Sequence, residues 1–412
     1  MDILHGSCIV GQSGGPTSAI NASALGVIQA ALASDAITRV LGAENGITGI
    51  LNDRLFDFGL ENPAELELLK YTPSSALGSC RHKLADCTQD SSEYEQILKI
   101  FRKYDVRYFF YIGGNDSMDT CNKVSKYLQS VEYPCRVIGV PKTIDNDLVG
   151  TDHCPGYGSA AKLIATTCAE LRQDTQVYQT PTVNIVEIMG RHAGWLAGAS
   201  ALAGVTGQGP DLVYLPERNF DMEQFFNDVT RVVKSTGHCL VAVSEGIHYA
   251  DGTYINDVKT AAADGFGHVQ LGGLAVYLAN MVKHRLGYKA RGIELSLLQR
   301  CAAHIASQTD LDESYAAGRT AVERAISGES DCMIGFTRSE GAKYHCGVAS
   351  VPLTETANAE KKVPDGWINE AGNGVTQEFI DYALPLIQGE VQVPKVDALP
   401  RYAQLRKARV TE

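Results

Sequence analysis

Gly139-Val140-Pro141-Lys142-Thr143-Ile144-Asp145-Asn146-Asp147 is the stretch whose reading decides the fold. It follows Arg136-Val137-Ile138, an apolar run that reads as the end of a buried strand. A proline cannot donate to a sheet ladder, so the strand stops at Pro141. Two carboxylates, a lysine and a threonine hydroxyl then crowd one short loop, which packing alone does not require. Open α/β sheets carry their chemistry in loops at the carboxyl ends of parallel strands.

Upstream the same alternation recurs. Ser7-Cys8-Ile9-Val10 reads as a strand, followed by the glycine turn Gly11-Gln12-Ser13-Gly14-Gly15-Pro16-Thr17 and a helical pattern over 18–33. Glycines let a backbone approach an anion, and a helix N-terminus offers N–H groups and partial positive charge. A second strand over 39–42 runs into the turn signal Asn45-Gly46, and Leu77-Gly78-Ser79-Cys80-Arg81 is a small-residue loop delivering one arginine. Residues 92–103 have helical spacing. The aromatic and branched run 107–112 is a strand that ends in Gly113-Gly114-Asn115-Asp116-Ser117, with a helix to about residue 127.

Downstream, helices are expected over 157–173, 192–202, 222–234, 266–286 and 310–327, with a helical segment at 376–387. Strands are expected over 182–188, closed by Met189-Gly190-Arg191, and over 211–215, 239–244, 289–295, 331–336 and 347–351. Glu245-Gly246 ends one of them, and Gln299-Arg300 opens a helix after another. The alternation predicts an α/β fold of doubly wound, mainly parallel sheets, the second half of the chain repeating the theme of the first.

A chain of 412 residues has room for two domains. Its net charge of −12 argues against a nucleic-acid partner, which would need a basic surface. The 11 cysteines follow no repeated spacing and read as reduced, buried thiols; Cys80, His82 and Cys87 lack the second pair a zinc site needs. The first residues have neither the basic region nor the apolar core of a signal peptide, and no apolar run approaches a membrane span. A cytoplasmic protein with no membrane partner is expected.

The strand-end groups are Gly14-Gly15, Arg81, Asn115-Asp116-Ser117, Lys142-Thr143-Asp145-Asp147, Met189-Gly190-Arg191, Glu245 and Arg300. Glycines, cations and carboxylates together suit phosphoryl transfer, in which positioning and charge stabilisation dominate and one carboxylate accepts the proton of the attacking hydroxyl. The Walker and protein-kinase motifs are absent, as is a dinucleotide fingerprint after the first strand.

With Gly113 to Ser117 upstream and Met189-Gly190-Arg191 downstream, Pro141 to Asp147 resembles the phosphofructokinase family, and within it the pyrophosphate-dependent branch. The resemblance runs in order from Gly14 to Arg300. It implies two doubly wound, mainly parallel-sheet domains with the active site in the cleft between them: a donor-binding domain of residues 1–150 plus about 300–350 and a smaller sugar-binding domain of 151–299, with an appended C-terminal element of 351–412. It also implies that Asp145 is the base that deprotonates the sugar 1-hydroxyl, with Lys142 and Asp116 as its catalytic companions. Lys142, Thr143, Asp147, Met189, Gly190, Arg191, Glu245, Arg291, Leu297 and Arg300 fall to the sugar. Gly14, through its N–H, and Gly15, Arg81 and Ser117 fall to pyrophosphate. Mg²⁺ is the implied cofactor, with Asn115 at the metal position, and a homodimer or homotetramer is the implied assembly.

The sequence departs from the ATP-using pattern at two places. ATP-using members read GGDGS and PGTIDND, where this chain has Asp116 in place of the third glycine of the first motif and Lys142 in place of the glycine of the second. An aspartate there occupies and repels the space of a nucleotide α-phosphate, and a lysine neutralises charge on leaving phosphate. Two other departures bear on the acceptor. Thr182 and Leu297 stand where the family holds the sugar 6-phosphate, and a leucine cannot hydrogen-bond a phosphate. The expected reaction is reversible transfer from pyrophosphate to fructose 6-phosphate. Another polyol or sugar-phosphate acceptor, an ATP donor, and a non-catalytic sugar sensor are the alternatives.

Overall fold

The computed structural model describes residues 3–255, 273–339, 341, 343–356 and 359–410. Apart from the antiparallel pairing of Lys395–Val396 with Leu399–Pro400, eleven strands among the described residues build two sheets. In chain order they are β1 (Gly6–Gln12), β2 (Ile37–Ala43), β3 (Leu55–Asp57), β4 (Val106–Gly113), β5 (Arg136–Pro141), β6 (Thr182–Ile188), β7 (Leu212–Tyr214), β8 (His238–Ser244), β9 (Lys289–Glu294), β10 (Cys332–Arg338) and β11 (Cys346–Pro352). The first sheet has the order β11-β10-β5-β4-β1-β2-β3, and the second β7-β8-β6-β9. From β2 to β10 the first sheet is parallel, with antiparallel strands only at its two edges. Every pairing in the second is parallel.

Both sheets are buried on both faces, as parallel strands covered by helices must be. Cys8 and Val10 of β1 join one core with Tyr108, Phe110 and Ile112, while Ile9 joins another with Phe109 and Tyr111. In β8, Leu240 and Ala242 face one core and Cys239, Val241 and Val243 the other. The strand period of two thus feeds two cores per sheet.

The chain leaves the first sheet after β5 and returns to it after β9 through the helix Gln308–Ile326, which packs along the helix Ile20–Leu32. Glycine permits the close approach. A Cβ at Gly318 would lie 2.0 Å from the Ser23 carbonyl oxygen, and one at Gly26 2.1 Å from that of Tyr315.

The expected elements shift in four places. Residues 192–202 form only the short helix Trp195–Ala199 and the 3₁₀ run Ser200–Thr206, because glycines at 194 and 198 weaken the helix and Gly198 is pressed against the Phe379 ring. Gln299-Arg300 lies at the end of the 3₁₀ turn Ser296–Arg300 rather than at a helix start. The helix Gln377–Ala383 gives way to 3₁₀ geometry over Leu384–Ile387, where Pro385 removes a hydrogen-bond donor. Of the expected helix over 266–286, Leu274–Leu286 is observed and 266–272 lies outside the described residues. No described helix is long and apolar enough to cross a membrane.

Gly318→Ala forces two helix backbones apart, so it should destabilise the protein by about 1–3 kcal/mol. Denaturant unfolding checks this as a lower midpoint at unchanged slope.

Candidate active site

The carboxyl ends of β1, β4 and β5 face those of β6 and β8 around one polar cluster. At the end of β1, Gly14 adopts φ +76°, which favours glycine, and the Ser79 hydroxyl donates to its carbonyl at 2.6 Å. Three cations converge on this turn. The Lys142 ammonium donates to the Gly15 carbonyl, and a Cβ added to Gly14 would lie 3.3 Å from Nζ. A Cβ added to Gly15 would lie 2.9 Å from an Arg300 nitrogen and 3.9 Å from one of Arg81. Such a concentration of positive charge around a bare glycine turn is an anion seat. The Gly14 N–H, expected to hold the anion, instead donates to the Cys80 carbonyl at 3.1 Å. The positive side of the seat is therefore made by side chains.

Lys142 is 2 % exposed, and burial holds its pKa down to about 8 against the pull of Asp145; Arg300 and Arg81 push it the same way as burial. Its backbone N–H donates to the Gly113 carbonyl at 2.9 Å, fixing it across the β4–β5 edge. Burial, then Arg81, lowers the pKa of Arg300.

The negative side is the 145–147 loop. The Asp145 N–H donates to the Thr143 hydroxyl at 3.1 Å. Asn146, in the left-handed region at φ +56°, is fully buried; its Nδ2 donates to the Tyr382 hydroxyl at 2.8 Å and its Oδ1 accepts from the Cys154 N–H at 2.9 Å. That twist places the carboxylates of Asp145 and Asp147 on either side of it. Burial raises the pKa of Asp145, opposed by Lys142, Arg300, Arg191 and His192. Burial, then Asp145, then Glu360 raise that of Asp147 to about 7. Lys142, Arg300 and Arg191 bring positive charge to Asp145, while Asp147 faces the negative charge of Asp145 and Glu360, opposed by Lys361. Both carboxyls of the interacting pair are therefore held above the ordinary carboxylate range.

On the facing sheet, Gly190 has φ +127° and donates to Glu245 Oε1 at 3.4 Å, while the Met189 N–H donates to Gln299 Oε1 at 3.0 Å. Burial, then Asp145, raises the pKa of Glu245 to about 7. Gly246 is required by close approach: a Cβ there would lie 1.8 Å from the Arg191 carbonyl oxygen.

Asn115 starts the helix Asn115–Ser130. Its Nδ2 donates to Asp147 Oδ2 at 3.1 Å, and its Oδ1 is buried with no hydrogen-bond partner among the described residues. A buried carbonyl oxygen left unsatisfied beside carboxylates is a set of hard oxygen donors, which fits a magnesium-like cation. Ser117 packs its hydroxyl over Gly113, where a Cβ would lie 1.9 Å from it. Asp116 sits at the cluster's edge in the first helical turn, 3.9 Å from Lys83.

Three sequence-expected positions are not brought here. Arg291 lies in the first half of the edge strand β9, against Asp174 and the Tyr178 ring. Leu297 projects into solvent at 55 % exposure. Thr182 opens β6 at the opposite end from Met189, fully buried, with its hydroxyl on the Thr180 carbonyl. Sequence reasoning missed Glu360, Lys361 and Tyr382, which reach the 145–152 loop from the C-terminal element; no local motif marks them.

Residues 7–293 match the Phosphofructokinase family. The chain belongs to the phosphofructokinase family. It is 46% identical over 403 residues to pyrophosphate--fructose 6-phosphate 1-phosphotransferase of Halomonas elongata, covering 97% of this chain and 96% of that one. It is 44% identical over 417 residues to the protein of the same name from Xanthomonas campestris, covering 100% and 98%. Among solved structures it is similar to pyrophosphate-dependent phosphofructokinase from Nitrosospira multiformis, with a TM-score of 0.90 at 41% identity, covering 99% and 98% of the two chains. The two-sheet α/β architecture is that of these phosphofructokinases.

Glu245 carries the clearest linkage signature in this phosphofructokinase. Its folded-state pKa of about 7 lies above the ordinary carboxylate value, so folding disfavours its charge. The cost is absent below pH 4, where both states are protonated, and grows as pH rises toward 7. Glu245→Gln should therefore raise stability by about 1–3 kcal/mol at pH 7.5 and by nothing near pH 4. Melting curves at the two pH values check the sign.

Proposed function

We propose that this phosphofructokinase transfers a phosphoryl group reversibly from inorganic pyrophosphate to the 1-hydroxyl of fructose 6-phosphate, giving fructose 1,6-bisphosphate and phosphate. The observation that carries it is the convergence of Lys142, Arg81 and Arg300 on Gly14-Gly15, across from Asp145. A compact, highly charged donor suits that seat. Asp116, in the neighbouring helix's first turn, adds negative charge where a longer nucleotide donor would extend.

In this reading Asp145 accepts the proton of the 1-hydroxyl as its oxygen bonds to phosphorus. The bridging P–O bond breaks, and its electron pair stays on the leaving phosphate beside Lys142. Arg191 and Arg300 stabilise the charge spread over the transferring group. Met189, Gly190, Thr143 and Glu245 orient the sugar, and Ser117 shapes the donor pocket. Asn115 Oδ1 and the Asp147 carboxylate would hold Mg²⁺. When bound, the ion supplies charge neutralisation on pyrophosphate. Residues 1–150 and 300–350 form the donor half, 151–299 the sugar half, and 351–412 an appended element. The reading includes a homodimer or homotetramer, in which the exposed Arg291 of one copy is available to the acceptor site of another.

Purified protein should turn over fructose 6-phosphate with pyrophosphate and not with ATP. ATP-only turnover overturns the donor, and turnover confined to another polyol overturns the acceptor. Asp145→Asn should lower kcat by about two to four orders of magnitude with little change in pyrophosphate KM; a near-wild-type rate would remove its role as base. Lys142 must be charged to hold the donor and loses its proton above its pKa of about 8. The pyrophosphate KM should therefore climb above pH 8. In Lys142→Arg that climb should move to higher pH, because a guanidinium stays charged.

A further inference from the structure

Segment 359–363 of the C-terminal element crosses the active site. Glu360 pairs with Leu148 in an antiparallel bridge, which lays the segment along the catalytic loop. Lys361 then uses its three polar groups at once. Its N–H donates to the Asp147 carbonyl at 2.6 Å, its ammonium to the carbonyls of Thr151 and Asp152 at 3.0 and 2.7 Å, and its carbonyl accepts from the Trp195 indole at 2.9 Å. Two residues on, the Val363 N–H donates to the same Glu217 oxygen as the Gly194 N–H, at 3.0 and 2.8 Å. So anchored, Glu360 presents Oε1 to His192 Nδ1 at 2.8 Å.

His192 directly follows Arg191, and its side chain stays 44% exposed in the pair. A carboxylate only accepts hydrogen bonds, so Nδ1 carries a proton and Nε2 is the ring nitrogen left for a ligand. His192 is close enough to Asp145 to favour its ionised form. The imidazole follows the Met189-Gly190-Arg191 turn at the carboxyl end of β6, on the sheet that does not carry Gly14-Gly15.

We propose that His192 is a further recognition residue for a hydroxyl of the sugar acceptor, and that Glu360 is its positioning residue, delivered by the Lys361 anchor. This rests on the functional reading above. Wild-type turnover of fructose 6-phosphate with pyrophosphate tests that reading, and the ratio of variant to wild-type constants tests the inference.

Glu360→Ala should raise the fructose 6-phosphate KM about tenfold, the effect of one lost oriented hydrogen bond, while the pyrophosphate KM and kcat stay within about threefold. Glu360→Gln keeps an acceptor oxygen for Nδ1–H and should restore most of the loss. His192→Asn should raise the same KM at least as much, and Glu360→Ala combined with His192→Asn should be no worse than His192→Asn alone. An unchanged acceptor KM in Glu360→Ala would overturn the proposal. So would a parallel rise in the pyrophosphate KM, or losses that multiply in the double variant, since Glu360 would then act through Asp147 and not through His192.

Discussion

Mutual repulsion among Asp145, Asp147 and Glu245 is the constraint on which the site depends. Each is raised in pKa by burial, and Asp145 raises both of the others. Removing carboxylates from water is costly unless opposite charge or hydrogen bonds compensate. Here Lys142, Arg300 and Arg191 supply that compensation to Asp145 unequally, leaving Asp147 and Glu245 to carry the residual strain. The result is three carboxylates held above their ordinary range, with the opposing cations concentrated at Asp145. It also puts stability in opposition to function, since neutralising Glu245 relieves the fold.

The cations are under the same constraint from the other side. Lys142 is buried beside the like charges Arg81 and Arg300, which push it toward losing its proton, and Asp145 holds that proton on. An anion entering at Gly14-Gly15 would relieve the repulsion among the cations, so the electrostatics is prepared for a compact, highly charged ligand.

Side chains from residues 361–382 hold the repelling loop in place. Tyr382 accepts from Asn146 and donates to the Asp152 carbonyl at 2.7 Å, and Lys361 ties residues 147, 151 and 152 to Trp195. The Trp195, Trp367, Phe379 and Tyr382 rings pack against one another beneath these bonds. His153 extends the bracing away from the site: it is buried between Asp152 and Glu313, at 2.9 and 2.8 Å, and stacks on Phe336 of β10. It thereby ties the segment after β5 to the helix Gln308–Ile326 and to β10.

The sequence by itself determined the strands, since runs such as 107–112 and 182–188 are long, branched and bounded by glycine or proline. It also determined the chemistry-bearing loops, because a parallel α/β sheet brings successive strand ends to one edge whatever the details. Asp145, Lys142 and Gly14-Gly15 were legible on that ground. Only the tertiary structure decided which expected residues meet. Arg291 and Thr182 lie toward the far ends of β9 and β6, because position along a strand decides which side of a sheet's edge a residue serves. The spending of the Gly14 N–H on Cys80 was likewise invisible, as was the role of Glu360, Lys361 and Tyr382. Hydrogen bonds between residues so far apart in the chain leave no local period or motif, and they form only once packing has brought the segments together.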